Sequence, residues 1–428
     1  MRENKREPVS ATPALALERR MSQYDFETIV KRRPANLKLS ATDPAVLRAG
    51  NVSFDGAEPD FKSAPAIEHA LKALAENGLY GFTLCDDVYR EAVSSWMRRE
   101  RTCAIDPQWI VPTLGTIHSV ATAIRLFTKE GEGIILTPPV YNRYEQAADR
   151  LHRKTVKCPL ILSADTDSSG ERREGEIRYH MDFDTIEQAM RQKENKLFIL
   201  CNPHNPIGQI WKKEELEQLA ALAEACHVVV FSDEIFAETV YGGHETPCYL
   251  DIPGARSHCI VSTSLGKAFH FTGVNHANML IPDEGIREAF IRQRNADHYG
   301  SIDPFAYESL LAAYSEEGRD WLHAMNRYVE ENIRKIKAFF REVLPKAQVY
   351  GGEGGYILWI DFRPYFASEE EMVEFLYHKA YFHVDPGSSY GAERFARMCV
   401  ASPWHAIEKA LGDLKRAFVN SPSSPGLK

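Results

Sequence analysis

No apolar run in this 428-residue chain reaches the roughly 18–20 residues needed to cross a bilayer, so a membrane-spanning protein is not expected. The N-terminus, MRENKREPVSATPALALERR, lacks the apolar stretch of a secretory signal, while its arginines leave a transit-peptide reading open. Basic charge is not in excess. Lys and Arg number 51 against 60 Asp and Glu, a net charge of −9, so neither nucleic acid nor an anionic membrane is an expected partner. The eight cysteines form no CxxC pair and lie scattered, which predicts reduced thiols and a cytoplasmic protein. Cys201 and His204 stand close, but a lone pair in a loop makes a poor zinc argument, and no metal is expected. Neither an internal repeat, a GxGxxG nor a Walker loop is found, which gives nucleotide binding little support.

What is present is a globular composition with alternating elements. Hydrophobic residues make up 44%, enough for a large core and a smaller companion domain. Helical spacing marks 67–77, 86–100 and 214–226, each with an apolar face and a charged one. Between them lie short apolar runs at 133–137, 196–201, 227–234, 258–264 and 276–282. Runs apolar on both faces suit strands buried between helix layers, so the pattern predicts an α/β fold with a mostly parallel sheet. Residues 1 to about 20 read as an arm, 163–177 as a polar surface loop and 421–428 as a disordered tail. The last third changes character. A long helical region (about 304–343), the strand GGYILWIDF (354–362), a helix at 369–380, the loop DPGSSYG (385–391) and a helix at 405–418 predict an α+β companion domain.

Several candidate residues sit where strands end, and in an open α/β sheet ligands bind outside the carboxyl ends of strands. Asp233, in SDEIF, follows an apolar run. A carboxylate at such a buried mouth needs a partner, and a protonated pyridine nitrogen would serve. Lys267, in STSLGKAFHFTG, lies in a turn where a poorly solvated amine could form an imine with an aldehyde cofactor. Asn205 sits in CNPHNPIGQ, a loop preset by two Asn-Pro steps, and could donate to a phenolate oxygen on such a ring. Gly115, Thr116 and Ile117 open a helix, whose free N–H groups make an anion site, with Ser264 as a hydroxyl partner. Tyr141, after two prolines, could lie flat on a pyridine ring. Each has a plainer alternative: an N-cap aspartate, a surface lysine, a structural turn, ordinary helix capping, a core tyrosine.

Taken in order, the Gly-Thr helix start, PxY, NPxNPxG, SDE and STSxxK resemble the fold-type I pyridoxal 5′-phosphate (PLP) enzymes of the class I/II aminotransferase family. The likeness extends to GGYILWID, the PG..YG loop and RFARMC, and runs from about residue 22 to 418. Within the family, YDFETIVKRR, AEPDFKSAP and GLYGFT resemble the cystathionine β-lyase / cysteine-S-conjugate C–S lyase branch. Asn275, where other branches carry a phosphate-binding arginine, agrees with that.

The resemblance implies a seven-stranded, mostly parallel three-layer domain over 61–300 and a small α+β domain over 301–420. The segment 1–60 would supply the arm and part of the small domain. It implies that Lys267 forms the Schiff base and acts as base at Cα, with Tyr141 stacking beside it. Asp233 would pair with the ring nitrogen and Asn205 with the ring hydroxyl, while Gly115, Thr116, Ile117 and Ser264 would hold the phosphate. Arg397 would clamp the substrate carboxylate, with Arg394 as runner-up. It implies a homodimer with shared active sites, acting on a small amino-acid substrate.

Three departures remove polar groups. Phe82 stands where relatives carry a tyrosine that reaches the partner's phosphate, with Tyr80 as a possible substitute; Phe236 replaces a usual Tyr or His, and Gly266 a usual Ser. The expected reaction is β-cleavage of a cysteine S-conjugate to thiol, pyruvate and ammonia. The alternatives are transamination, or the decarboxylation-linked oxidative deamination of S-conjugated cysteine seen in lincosamide-type antibiotic pathways. A regulator-binding module is the non-enzyme alternative.

Overall fold

The computed structural model describes residues 24–166, 172–297 and 299–420. The expected arm at 1 to about 20 and the tail at 421–428 lie outside the described residues. The strands of the first two-thirds are β1 (Ile110–Thr113), β2 (Gly133–Leu136), β3 (Lys154–Lys157), β4 (Ile161–Thr166), β5 (Arg172–His180), β6 (Asn195–Cys201), β7 (Val229–Asp233), β8 (Cys259–Thr263) and β9 (Ala277–Leu280). Seven of them form one sheet in the order β1–β9–β8–β7–β6–β2–β3. β9 runs antiparallel to both its neighbours; the other pairings are parallel.

Successive residues in these strands feed two different cores. Ile134, Leu197, Phe231 and Ile260 pack on one side, Ile135, Phe198, Val230 and Val261 on the other. Side chains alternate across a strand, so a strand apolar at every position must be covered on both faces. The expected mostly parallel sheet between helix layers is therefore the observed one.

Two expectations are corrected. The segment 163–177 is not a plain loop: it contributes to the antiparallel hairpin of β4 and β5, paired from Ile161↔His180 onward, with 167–171 outside the described residues. The helical region 304–343 is two helices, Pro304–Ala313 and Glu316–Val343. The break lies at Ser315, whose side chain accepts the Gly318 N–H as an N-cap at 3.2 Å. The turn is tight: a Cβ on Gly318 would sit 2.2 Å from the Ala313 carbonyl oxygen.

The last third builds an antiparallel sheet from β10 (Gln348–Gly351), β11 (Ile357–Asp361), β12 (Asp385–Pro386) and β13 (Phe395–Cys399), in the order β10–β11–β13–β12. The segment around residues 54–60 is laced into it. Phe54 N–H donates to the His383 carbonyl, Cys399 N–H to the Phe54 carbonyl, and Asp60 N–H to the Ala401 carbonyl. The buried Asp60 carboxylate takes Arg32 at 2.8 Å and Ser402 Oγ at 2.5 Å, with Lys38 at 3.2 Å. Burial opposes its charge, but Lys38 and Arg32 outweigh that and hold the carboxyl below its ordinary range.

Candidate active site

Parallel strands end at one edge of the sheet, and the candidate residues follow from that. Asp233 is the last residue of β7. Asn205 lies in the turn after β6, Lys267 in the short helix Leu265–Ala268 after β8, and Gly115 caps helix Thr116–Phe127 after β1. All converge on one cavity of about 570 Å³, whose lining includes Gly115, Thr116, Ile117, Tyr141, Asn205, Asp233, Ser264, Lys267 and Arg397. The nine residues given a direct cofactor or substrate role in the sequence thus line the same space. Arg394 does not line it; its Nη1 donates to the Phe366 carbonyl at 3.2 Å.

At one end of the cavity, Gly115 turns the chain into the helix at φ 118°, a region glycine enters freely. The helix carries neither a side-chain cap nor an acidic residue in its first turn, so its first N–H groups and positive dipole end are left for a ligand. Thr116 Oγ1 lies 2.9 Å from Ser262 Oγ. Ser264 Oγ accepts the Gly266 N–H and donates to the His276 carbonyl, each at 3.0 Å.

At the centre, Lys267 Nζ donates to the Ala57 carbonyl at 2.9 Å and stands 5.5 Å from the centroid of the Phe236 ring. Burial, aided by the Arg397 charge, brings its amine down to about 8. Burial pushes the Asp233 carboxyl the other way, up to about 6. The Tyr144 hydroxyl donates to Asp233 Oδ2 at 2.5 Å, and the Ile235 N–H to Oδ1 at 3.3 Å. Tyr141 stands edge-on to Tyr144, ring centroids 5.6 Å apart, and burial raises its hydroxyl pKa.

On the small-domain side, β13 delivers Arg397. Its Nη1 donates to Asn205 Oδ1 at 3.0 Å, its Nη2 to Asp385 Oδ2 at 2.5 Å, and its guanidinium lies 4.9 Å from the Tyr390 ring centroid. Burial works against this charge, but Asp385 outweighs it and keeps the guanidinium cationic. The Asn205 loop is held where it is by backbone contact. Gly208 has φ 73°, and a Cβ there would lie 2.5 Å from the Ile357 carbonyl oxygen.

Sequence reasoning missed Tyr144 and Asp385. Tyr144 reads as one more apolar position of an amphipathic helix; its signal is the spacing PxYxxY. Asp385 stands in the DPGSSYG loop, and only the fold pairs it with Arg397. Phe82 is 98% exposed, and Tyr80 stacks on Phe305 at 5.4 Å; neither lines this chain's own cavity. His204 is buried, its Nε2 2.8 Å from the Pro139 carbonyl oxygen.

Residues 42–414 match the family model described as aminotransferase class I and II. The chain is 29% identical to cystathionine beta-lyase PatB of Bacillus subtilis (strain 168), over 85% of this chain and 91% of that one. It is 27% identical to protein MalY of Escherichia coli (strain K12), over 92% and 99% respectively. The solved structure of cystalysin from Treponema denticola, described as containing a pyridoxal 5′-phosphate cofactor, superposes with a TM-score of 0.84. It is 28% identical and covers 93% of this chain and 99% of its own.

Proposed function

The chain belongs to the class I and II aminotransferase family, and from that premise we propose that it is a pyridoxal 5′-phosphate-dependent carbon–sulfur lyase acting on a cysteine S-conjugate. The observation that carries the cofactor assignment is Asp233. Its buried carboxylate shares a cavity with a lysine amine held near 8 and an uncapped helix start, a donor set that fits a cationic ring, an aldehyde and a phosphate. The lyase assignment is supported by the relatives' names, cystathionine beta-lyase among them.

When bound, the cofactor supplies an aldehyde that captures an amine and a ring that accepts electron density from the substrate's α-carbon. The chain's residues do the rest. Asp233 would pair with the ring nitrogen and hold it protonated. Asn205, its Oδ1 committed to Arg397, offers its amide N–H to the ring hydroxyl. Tyr141 would pack on the ring, and Gly115, Thr116, Ile117 and Ser264 would hold the phosphate. Arg397 forks onto the substrate carboxylate and orients the bond to be broken. Lys267, once free, takes the proton from the α-carbon; a low amine pKa keeps it a usable base near neutral pH. The electron pair left at the α-carbon would form the Cα–Cβ double bond as the Cβ–S pair leaves with sulfur, Lys267 would return its proton to give the thiol, and water would hydrolyse the released enamine to pyruvate and ammonia.

We assign the large cofactor-binding domain to 61–300 and the small domain to 301–420 with part of 1–60; the Phe54 bonds to His383 and Cys399 support the last point. The exposed apolar run Leu79, Tyr80, Phe82, Leu84 and Val88 supports a homodimer with shared sites. All eight cysteines are free thiols, which agrees with the cytoplasm.

Incubation with an S-alkyl cysteine decides the chemistry. Pyruvate with free thiol is the expected result. A 2-oxo acid that keeps its sulfur would make the protein an aminotransferase, and carbon dioxide with an aldehyde a decarboxylating deaminase.

A further inference from the structure

Resting on the assignment of Asp233 to the ring nitrogen, we propose that Tyr144 is a positioning residue that keeps Asp233 ionised and thereby sets the charge on the cofactor ring. Tyr144 lies in the first turn of helix Arg143–Arg150 and is fully buried. Its ring stands edge-on against Tyr141, and its hydroxyl meets the Cys201 thiol as well as one carboxylate. That carboxylate is Asp233, with Oδ2 at 2.5 Å.

The bond has a fixed polarity. Burial, together with the neighbouring Asp233 charge, raises the Tyr144 hydroxyl far above its ordinary pKa, so it stays protonated. It therefore donates, and it favours the ionised carboxylate over the neutral acid. Asp233 has little other help. Among the described residues no Lys, Arg or His forms an ion pair with it, the Ile235 N–H sits at a longer 3.3 Å, and Lys267 acts only through space. Against the burial of a carboxylate that is 3% exposed, Tyr144 is the nearest donor. A carboxylate kept ionised holds its proton on the ring nitrogen, and a cationic ring is the better electron sink. Removing one oxygen from Tyr144 should leave the packing and change this charge.

The experiment uses the full chain loaded with pyridoxal 5′-phosphate, comparing it with Tyr144→Phe. The cofactor dissociation constant rises about tenfold or more, the loss expected for a hydrogen bond to a charged group. The pH midpoint of the bound chromophore's visible absorbance moves upward, because a neutral ring no longer repels a proton elsewhere on the conjugated system. A merely structural tyrosine would lower Tm and leave that midpoint alone. Site-specific 3-fluorotyrosine at 144, a stronger donor of nearly the same shape, moves the midpoint downward and serves where the phenylalanine variant fails to fold. An unmoved midpoint overturns the role of Tyr144. Failure of the unsubstituted protein to bind the cofactor overturns the functional reading beneath it.

Discussion

Arg397 of the small antiparallel sheet donates to Asn205 of the large domain at 3.0 Å, so one hydrogen bond joins the two sheets inside the cavity. The same guanidinium leans on Asp385. Truncating Arg397 would also leave the bound substrate carboxylate without its charged partner, a loss of roughly 2–5 kcal/mol. Arg397→Ala is therefore expected to lower kcat/KM by about 30-fold or more. Arg397→Lys keeps the charge but loses the fork, so it raises KM more than it lowers kcat. Steady-state kinetics on both variants checks this; equal losses in KM and kcat for the lysine variant would count against a carboxylate clamp.

Lys267 is expected to set the pH dependence of cofactor uptake. Its amine sits near 8, below an ordinary lysine, because burial and Arg397 disfavour its charge. Only the free base condenses with an aldehyde, so the free fraction grows as pH rises and levels off above about 8. Stopped-flow mixing of apoprotein with pyridoxal 5′-phosphate should show the rate climbing up to that pH and then flattening. Borohydride reduction followed by peptide mapping should place the label on Lys267, and Lys267→Ala should abolish both label and turnover.

Asp233 trades stability for function. Its pKa in the folded chain, about 6, lies above its ordinary 3.8, so the folded state favours the protonated form. The group's stabilising contribution is complete at pH below its ordinary value and is lost as pH climbs through about 6. At pH 8 the apoprotein thus carries an ionised buried carboxylate, a cost of up to about 3 kcal/mol. Asp233→Asn is expected to raise the apoprotein's Tm more at pH 8 than at pH 5, while weakening cofactor binding. Equal shifts at both pH values would rule this out.

Gly208→Ala tests the backbone seat of Asn205. A Cβ there meets the Ile357 carbonyl oxygen at 2.5 Å, and φ 73° is costly for alanine. A stability loss of about 1–3 kcal/mol in urea unfolding is expected, with weaker cofactor binding because Asn205 shifts with the loop.

Phe82→Asp probes the exposed apolar run. A charge at a side chain 98% exposed on this chain is harmless to a monomer but not to a buried interface. Light scattering should report a shift from dimer to monomer, with activity falling in step. An active, unshifted dimer would place the interface elsewhere.

The helices that were legible in the sequence were read from their one apolar face, and the strands that were legible share one property: burial on both faces. β2, β6, β7, β8 and β9 are buried at nearly every position, and the apolar runs within them could be read directly. β3, KTVK, sits at the sheet's edge with both ends exposed and reads as polar chain. The β4–β5 hairpin lies outside that sheet and was hidden in the same way. At the site, Lys267, Asp233 and Asn205 were legible because each punctuates the end of an apolar run. Tyr144 and Asp385 were not: Tyr144 is defined by Asp233, 89 residues on, and Asp385 meets Arg397 only through the pairing of β12 with β13.

The lacing of residues 54–60 into the last strands bears on how the chain is made. Phe54 emerges from the ribosome 329 residues ahead of His383 and 345 ahead of Cys399, its hydrogen-bonding partners. At about 5–20 residues per second, that delay is on the order of half a minute. Meanwhile the seven strands of the large sheet can already assemble. The small sheet must then close around a segment that has waited, tethered and unpaired, through that interval, so chaperone demand should fall on the residues around Phe54.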